Sequence, residues 1–195
     1  MVDDDPLGAA TRLLVYGVCG SGKTTMAERI SQATALPWHS VDDLMWEPGW
    51  IEVPEDEQRR RIGEICTGDR WILDTAYGRW LDVPLSHADL IVALDYPRWV
   101  SLQRLVRRTA GRCWDKRTIC NGNTETLKSA FSRNSIIRWH FRSFKRKQRR
   151  IGRWMAGDGG PQVVRLTSPR QAEAWLHRLA AARSPIPRPG HHSGG

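Results

Sequence analysis

RLLVYGVCGSGKTT, residues 12–25, decides the fold. Its first part, Arg12 to Tyr16, is a short apolar run that reads as a buried strand. Gly17-Val18-Cys19-Gly20-Ser21-Gly22-Lys23-Thr24 then fits the spacing G-x-x-x-x-G-K-[ST] at every position. A helix is expected from Lys23 to Thr34, with Met26, Ala27, Ile30 and Ala33 at helical spacing. Strand, glycine turn and helix give the spacing its chemistry: backbone N–H groups converge on phosphate oxygens, and the helix N-terminus adds positive dipole. Gly17, Val18, Cys19, Gly20, Ser21, Gly22, Lys23, Thr24 and Thr25 are therefore the candidate nucleotide-binding residues. Lys23 would reach the β- and γ-phosphates, and the Thr24 hydroxyl would ligate Mg²⁺, so ATP and Mg²⁺ are the implied ligands. Cys19 reads as a small filler within the loop.

Outward from this stretch, apolar runs alternate with helical patterns. Trp38 to Val41, Trp71 to Asp74, Leu90 to Asp95 and Val163 to Leu166 are candidate strands. Glu55 to Cys66, Arg98 to Thr109, Ser135 to Arg150 and Pro169 to Arg183 are candidate helices, and another is expected from Thr124 or Glu125 onward. Gly111 to Thr124 reads as a polar loop. Such alternation implies an α/β fold, a parallel sheet covered on both faces, with ligands at the carboxyl ends of its strands. Residues 11–183 form the expected domain. Residues 1–10 read as a flexible N-terminus, and 184–195, rich in proline and glycine, as a disordered tail.

The chain has 195 residues and a formal net charge of +9, enough for one domain and basic enough to call for an anionic partner. The charge is local: 17 of the 30 lysines and arginines lie between Arg98 and Arg153. No apolar run approaches membrane-spanning length, and the acidic start lacks a secretory pattern, so the expected location is cytoplasmic, with reduced thiols.

The carboxylates near the loop carry the next layer of chemistry. Asp74 and Asp95 both end apolar strands. Asp74, followed by a polar turn-like segment, is the first choice to hold Mg²⁺ through water; Asp95 is explained by capping before Arg98. Asp42 and Asp43 either cap a short helix through Leu44 and Met45 or contact an acceptor hydroxyl, Asp42 being preferred. Arg104 and Arg108 share a helix face. Their repulsion is offset if a polyanion binds there; otherwise they form a solvated face. Trp46 and Trp50, around Pro48-Gly49, either stack on a flat ring or pack as apolar bulk. Cys113 and Cys120 lack the further ligands that zinc needs.

Together, GVCGSGKTT (17–25), LPWHSVDDLMWEPGW (36–50), WILDTAYGRW (71–80), ADLIVALDYPR (88–98), the arginine helix 104–112 and VVRLTSPRQAEAWL (163–176) resemble the small adenylate-kinase-like P-loop proteins of the topology modulation (FlaR-like) family. The likeness implies a nucleotide-kinase-like P-loop NTPase fold in three layers, with a five-stranded parallel sheet and a short lid at about 110–134. It implies a phosphotransferase whose acceptor is a nucleoside or nucleotide. By this likeness Asp42 stands at the mouth of the acceptor site, Asp74 is the carboxylate ending the third strand, and Arg79 binds acceptor phosphate. Arg104 and Arg108 grip the donor phosphates, making them catalytic candidates with Lys23, Asp42 and Asp74. Arg165 borders the donor base, and Trp46 and Trp50 belong to the acceptor side. The lid lacks the paired aspartates and second arginine pair of adenylate kinases, and no early arginine lies near Trp38 to Trp50 to receive AMP.

Nine basic residues crowd residues 133–153, interleaved with Ile136, Ile137, Phe141, Phe144 and Ile151. Either this is an amphipathic helix packed on the domain by its apolar stripe, or it binds nucleic acid. The second option gives the alternative function, an ATP-dependent nucleic-acid-binding or regulatory protein with weak ATPase activity.

Overall fold

The computed structural model of the chain describes residues 5–75, 77–115, 118–119, 123–124, 136–157 and 160–183. In order the elements are β1 (Arg12–Gly17), α1 (Lys23–Thr34), β2 (Trp38–His39), α2 (Val41–Met45), β3 (Trp46–Glu47), β4 (Ile51–Glu52), α3 (Glu55–Cys66) and β5 (Trp71–Leu73). There follow α4 (Asp82–His87), β6 (Leu90–Leu94), α5 (Arg98–Asp115), β7 (Thr118–Ile119), β8 (Asn123–Thr124), α6 (Ile136–Met155), β9 (Gln162–Leu166) and α7 (Pro169–Arg183).

The main sheet has five parallel strands in the order β2-β5-β1-β6-β9, placing β1 and its glycine turn at the centre. Strand alternation divides the core. Leu13 and Val15 join Met26, Ile30, Trp175 and Leu179 of α1 and α7 on one face. Leu14 and Tyr16 join Val41, Ile62, Trp71, Trp80 and Ile151 on the other, under α2, α3, α4 and α6. From Leu13 onward β1, like the whole of β5 and β6, thus buries its side chains against helices on both faces, as a doubly covered parallel sheet requires.

Several expectations shift. The strand expected over 38–41 stops at His39, because Val41 opens α2 with Ser40 at its N-cap position. Asp42 and Asp43 lie in the first turn of that helix rather than capping it, where carboxylates still complement the dipole. Helix α5 runs through Gly111 to Asp115, past its expected end, since one interior glycine costs only about 1 kcal/mol relative to alanine. Val106, an apolar position of this helix, is exposed. Leu7 is buried in the core and Asp5 pairs with Arg183 at 2.6 Å, so residues 5–10, expected to be flexible, are anchored. The helix expected from 124 or 125 onward, the tail 184–195, most of the lid and the side chains of Arg112, Cys113 and Cys120 lie outside the described residues.

Candidate functional site

The phosphate loop joins the carboxyl end of β1 to the N-terminus of α1. Gly20 and Gly22 adopt φ of +80° and +93°, a backbone region that side chains disfavour. A Cβ on Gly20 would also run into the Ser101 carbonyl oxygen. The Ser21 hydroxyl donates to the Val18 carbonyl at 2.8 Å, and Lys23 Nζ donates to the same carbonyl at 3.2 Å. Lys23 therefore arches over the loop, the position from which an ammonium meets phosphate oxygens.

Asp74, only 3% exposed, sits directly after β5 beside the loop. Its Oδ2 accepts from the Thr24 hydroxyl at 2.8 Å, and its Oδ1 from the Val41 amide at 3.0 Å. Burial pushes its carboxyl pKa up, against those two hydrogen bonds and Lys23, while the nearby Asp42 charge adds to the rise. One carboxylate thus ties the start of α1 to the start of α2.

Helix α2 presents Asp42 to solvent, where its Oδ1 accepts from the Tyr77 hydroxyl at 3.0 Å. The Tyr77 oxygen in turn accepts from Trp46 Nε1 at 3.3 Å. Burial, then the Asp42 charge, raise the Tyr77 pKa, so the phenol remains a proton donor at neutral pH. Trp46 meets Trp50 edge-on with centroids 5.8 Å apart, and Trp50 adopts a φ of +58° across the β3–β4 hairpin. Trp46 therefore stands beside Tyr77 and Asp42, with Trp50 edge-on to it. Arg79 pairs with Glu52 and lies 3.8 Å from Glu55.

Of the arginines on α5, Arg104 donates to the Ser21 carbonyl at 3.4 Å and lies over the Tyr96 ring at 5.6 Å. Arg108 is exposed one turn further along α5. Arg165 pairs with Asp95 at 2.6 Å across the ends of β6 and β9.

Three further residues of α6 reach the loop or the strand that leads into it. His140, fully buried, bonds through Nδ1 to the Cys19 carbonyl at 3.1 Å. A carbonyl only accepts, so Nδ1 carries the proton. Burial holds the ring pKa down, and among the described residues Nε2 has no partner. Lys147 donates to the Gly17 carbonyl at 2.8 Å, 5.0 Å from the Tyr16 ring centroid. Burial, then repulsion by Lys23, push its pKa down to about 7. Arg150 donates to the Tyr16 hydroxyl at 3.3 Å. The sequence singles out α6 as a basic amphipathic segment, without naming these three residues. Its helical period does place 140, 147 and 151 on one face, but what that face meets lies more than a hundred residues away.

No known family profile matches the chain. An uncharacterised protein of Bacillus subtilis strain 168, YqaC, is 28% identical over 96 residues, which is 48% of this chain and 54% of that protein. The chain thus spans about half the length of the curated relative it matches. Among solved structures, a shikimate kinase of Acinetobacter baumannii in complex with shikimate matches with a TM-score of 0.55 and 16% identity, over 89% of this chain and 93% of that one. A shikimate kinase of Bacteroides thetaiotaomicron matches with a TM-score of 0.53 and 14% identity, over 89% and 98%. The chain has the fold of the small P-loop kinases. Among the described residues, no helix is long and apolar enough to cross a membrane.

Proposed function

We propose that the chain is a phosphotransferase of the nucleoside- and nucleotide-kinase kind, moving the γ-phosphoryl group of ATP to a hydroxyl of a small acceptor. The observation that carries this reading is the double bond-holding of Asp74, which accepts from Thr24 on the donor side and from the Val41 amide beside Asp42 on the acceptor side. The shared fold with shikimate kinases supports it, as does the likeness of residues 36–50 to the topology modulation family.

In this reading the loop amides and Lys23 hold the β- and γ-phosphates. Arg104 at Ser21 and Lys147 at Gly17 add positive charge at the loop's two ends, with Arg108 next along α5. Arg165 borders the donor base. The hydroxyl and carboxylate oxygens of Thr24 and Asp74, 2.8 Å apart, are hard donors that fit Mg²⁺, directly or through water. When bound, Mg²⁺ neutralises phosphate charge. Asp42 orients the acceptor O–H and takes its proton as the acceptor oxygen bonds to the γ-phosphorus. The bond from that phosphorus to the β–γ bridging oxygen breaks, and ADP leaves. Asp42→Asn is expected to bind ATP as the wild type does while acceptor-stimulated ADP release, followed in a coupled assay, falls about a hundredfold. Full turnover in that variant would contradict the role.

A second reading, nucleic-acid binding, rests on Arg142, Lys145, Arg149 and Arg153, which remain exposed along the outer side of α6 after Lys147 and Arg150 turn to the loop.

A further inference from the structure

Charge is distributed unequally across the site. The donor half gathers cations around the loop: Lys23, Arg104, Lys147 and Arg150. The acceptor half is the opposite. Residues 41–61 carry seven carboxylates against three arginines, and Arg79 brings only one more cation.

Those arginines are already engaged. Arg79 pairs with Glu52 and stands near Glu55. Arg61 pairs with Glu57 at 2.8 Å, lies 3.9 Å from Glu47 and donates to the Leu44 carbonyl at 2.9 Å. An acceptor bearing phosphate or carboxylate would have to pull Arg79 from two carboxylates and then lie beside Glu52, Glu55 and Asp42. Like charges brought together at a binding surface cost affinity. The same wall suits a different ligand. Trp46 and Trp50 offer ring faces and edges, the Tyr77 hydroxyl a polar anchor, and Asp42 a carboxylate that accepts a hydroxyl proton.

Resting on the phosphotransfer reading, we infer that the acceptor is a hydroxylated ring compound without an anionic group, held by the Trp46–Trp50–Tyr77 wall and phosphorylated on the hydroxyl facing Asp42. The Arg79–Glu52 pair then acts as a charge filter, not as an acceptor-phosphate site.

The test is ADP release with ATP and Mg²⁺ across matched pairs that differ in charge: adenosine and AMP, glucose and glucuronate, inositol and inositol 1-phosphate. For any scaffold that is turned over, the non-anionic member is expected to have the higher kcat/KM, by at least about tenfold. Glu52→Gln keeps the side-chain oxygen that accepts from Gln58 but releases Arg79 from a charge. It should move the ratio toward the anionic member by about threefold, on the scale of one exposed ion pair. A wild-type preference for the anionic members would overturn the inference and leave phosphotransfer standing. Intact ATP binding with no compound of either charge raising ADP release would overturn the phosphotransfer reading, and this inference with it.

Discussion

Lys147 joins burial, charge and contact with the glycine loop in one side chain. In the free protein its ammonium is penalised by burial and by Lys23, and its pKa is pushed down to about 7. An unfolded lysine titrates near 10, so between about pH 7 and 10 the unfolded chain binds more protons here than the folded one. This site therefore makes the free protein more stable as pH rises through that window. Phosphates placed at the loop reverse the balance, because a polyanion favours the charged ammonium. ATP binding at pH 8 should then take up a proton, and affinity should weaken from pH 7 to 9. Calorimetry in two buffers of different ionisation enthalpy measures the uptake. Lys147→Met should abolish the Lys147 share of both effects. Identical proton uptake in that variant would show that Lys147 does not meet the phosphates. The residues of the loop itself were legible because their chemistry is contiguous: glycines, a lysine and a threonine at fixed spacing. Lys147 was not, since a lysine within a basic run reads the same whether it faces solvent or Gly17.

At the scale of elements, the β3–β4 hairpin and helix α6 build what the local sequence patterns could not. In the segment LMWEPGW the two-residue strands are too short to leave a period. The hairpin holds Trp50 at positive φ, which costs a non-glycine residue about 1–2 kcal/mol. Its edge-on contact with Trp46 returns about 0.5–1.5 kcal/mol. Trp50→Gly should therefore leave stability within about 1 kcal/mol of the wild type, because relief of strain offsets the lost ring contact. If the wall receives the acceptor, the same substitution should raise the acceptor KM severalfold. Thermal melting and steady-state kinetics on one preparation separate the two effects, and an unchanged KM would return Trp50 to a packing role. The long helices α1, α3 and α7 matched their expected spans because each has an unbroken helical pattern. Helix α5 overran its expected end because Gly111 and the polar residues after it resemble a loop when only local preference is weighed.

The whole molecule is a parallel sheet with β1 at its centre, so the carboxyl ends of β1, β2 and β5 bring Gly17, Asp42 and Asp74 to one rim. The alternation of strands and helices foretold this rim. The pairing of Arg79 with Glu52 and of Arg165 with Asp95 did not show in the sequence, because ion pairing follows from which loops meet at the rim. The net charge of +9 also divides at this scale. Part of it turns inward through Lys147 and Arg150, and part stays outside on α6. If the inward part serves the function, ATP turnover should be indifferent to added DNA or RNA. Neutralising Arg142, Lys145, Arg149 and Arg153 together should leave turnover within about twofold, as is usual for solvated surface charge. Polynucleotide-stimulated turnover that disappears in this variant and falls steeply with salt would favour the nucleic-acid reading instead.

The central claim is that the phosphate loop serves group transfer, and following the label of γ-labelled ATP tests it most directly. With the acceptor panel and Mg²⁺, the label should appear on an acceptor hydroxyl in the wild type. It should be lost in Lys23→Ala, whose melting should match the wild type because the Lys23 ammonium makes a single part-buried bond to the Val18 carbonyl and does not pack in the core. Label released only as inorganic phosphate, or transfer undiminished in Lys23→Ala, would contradict the account.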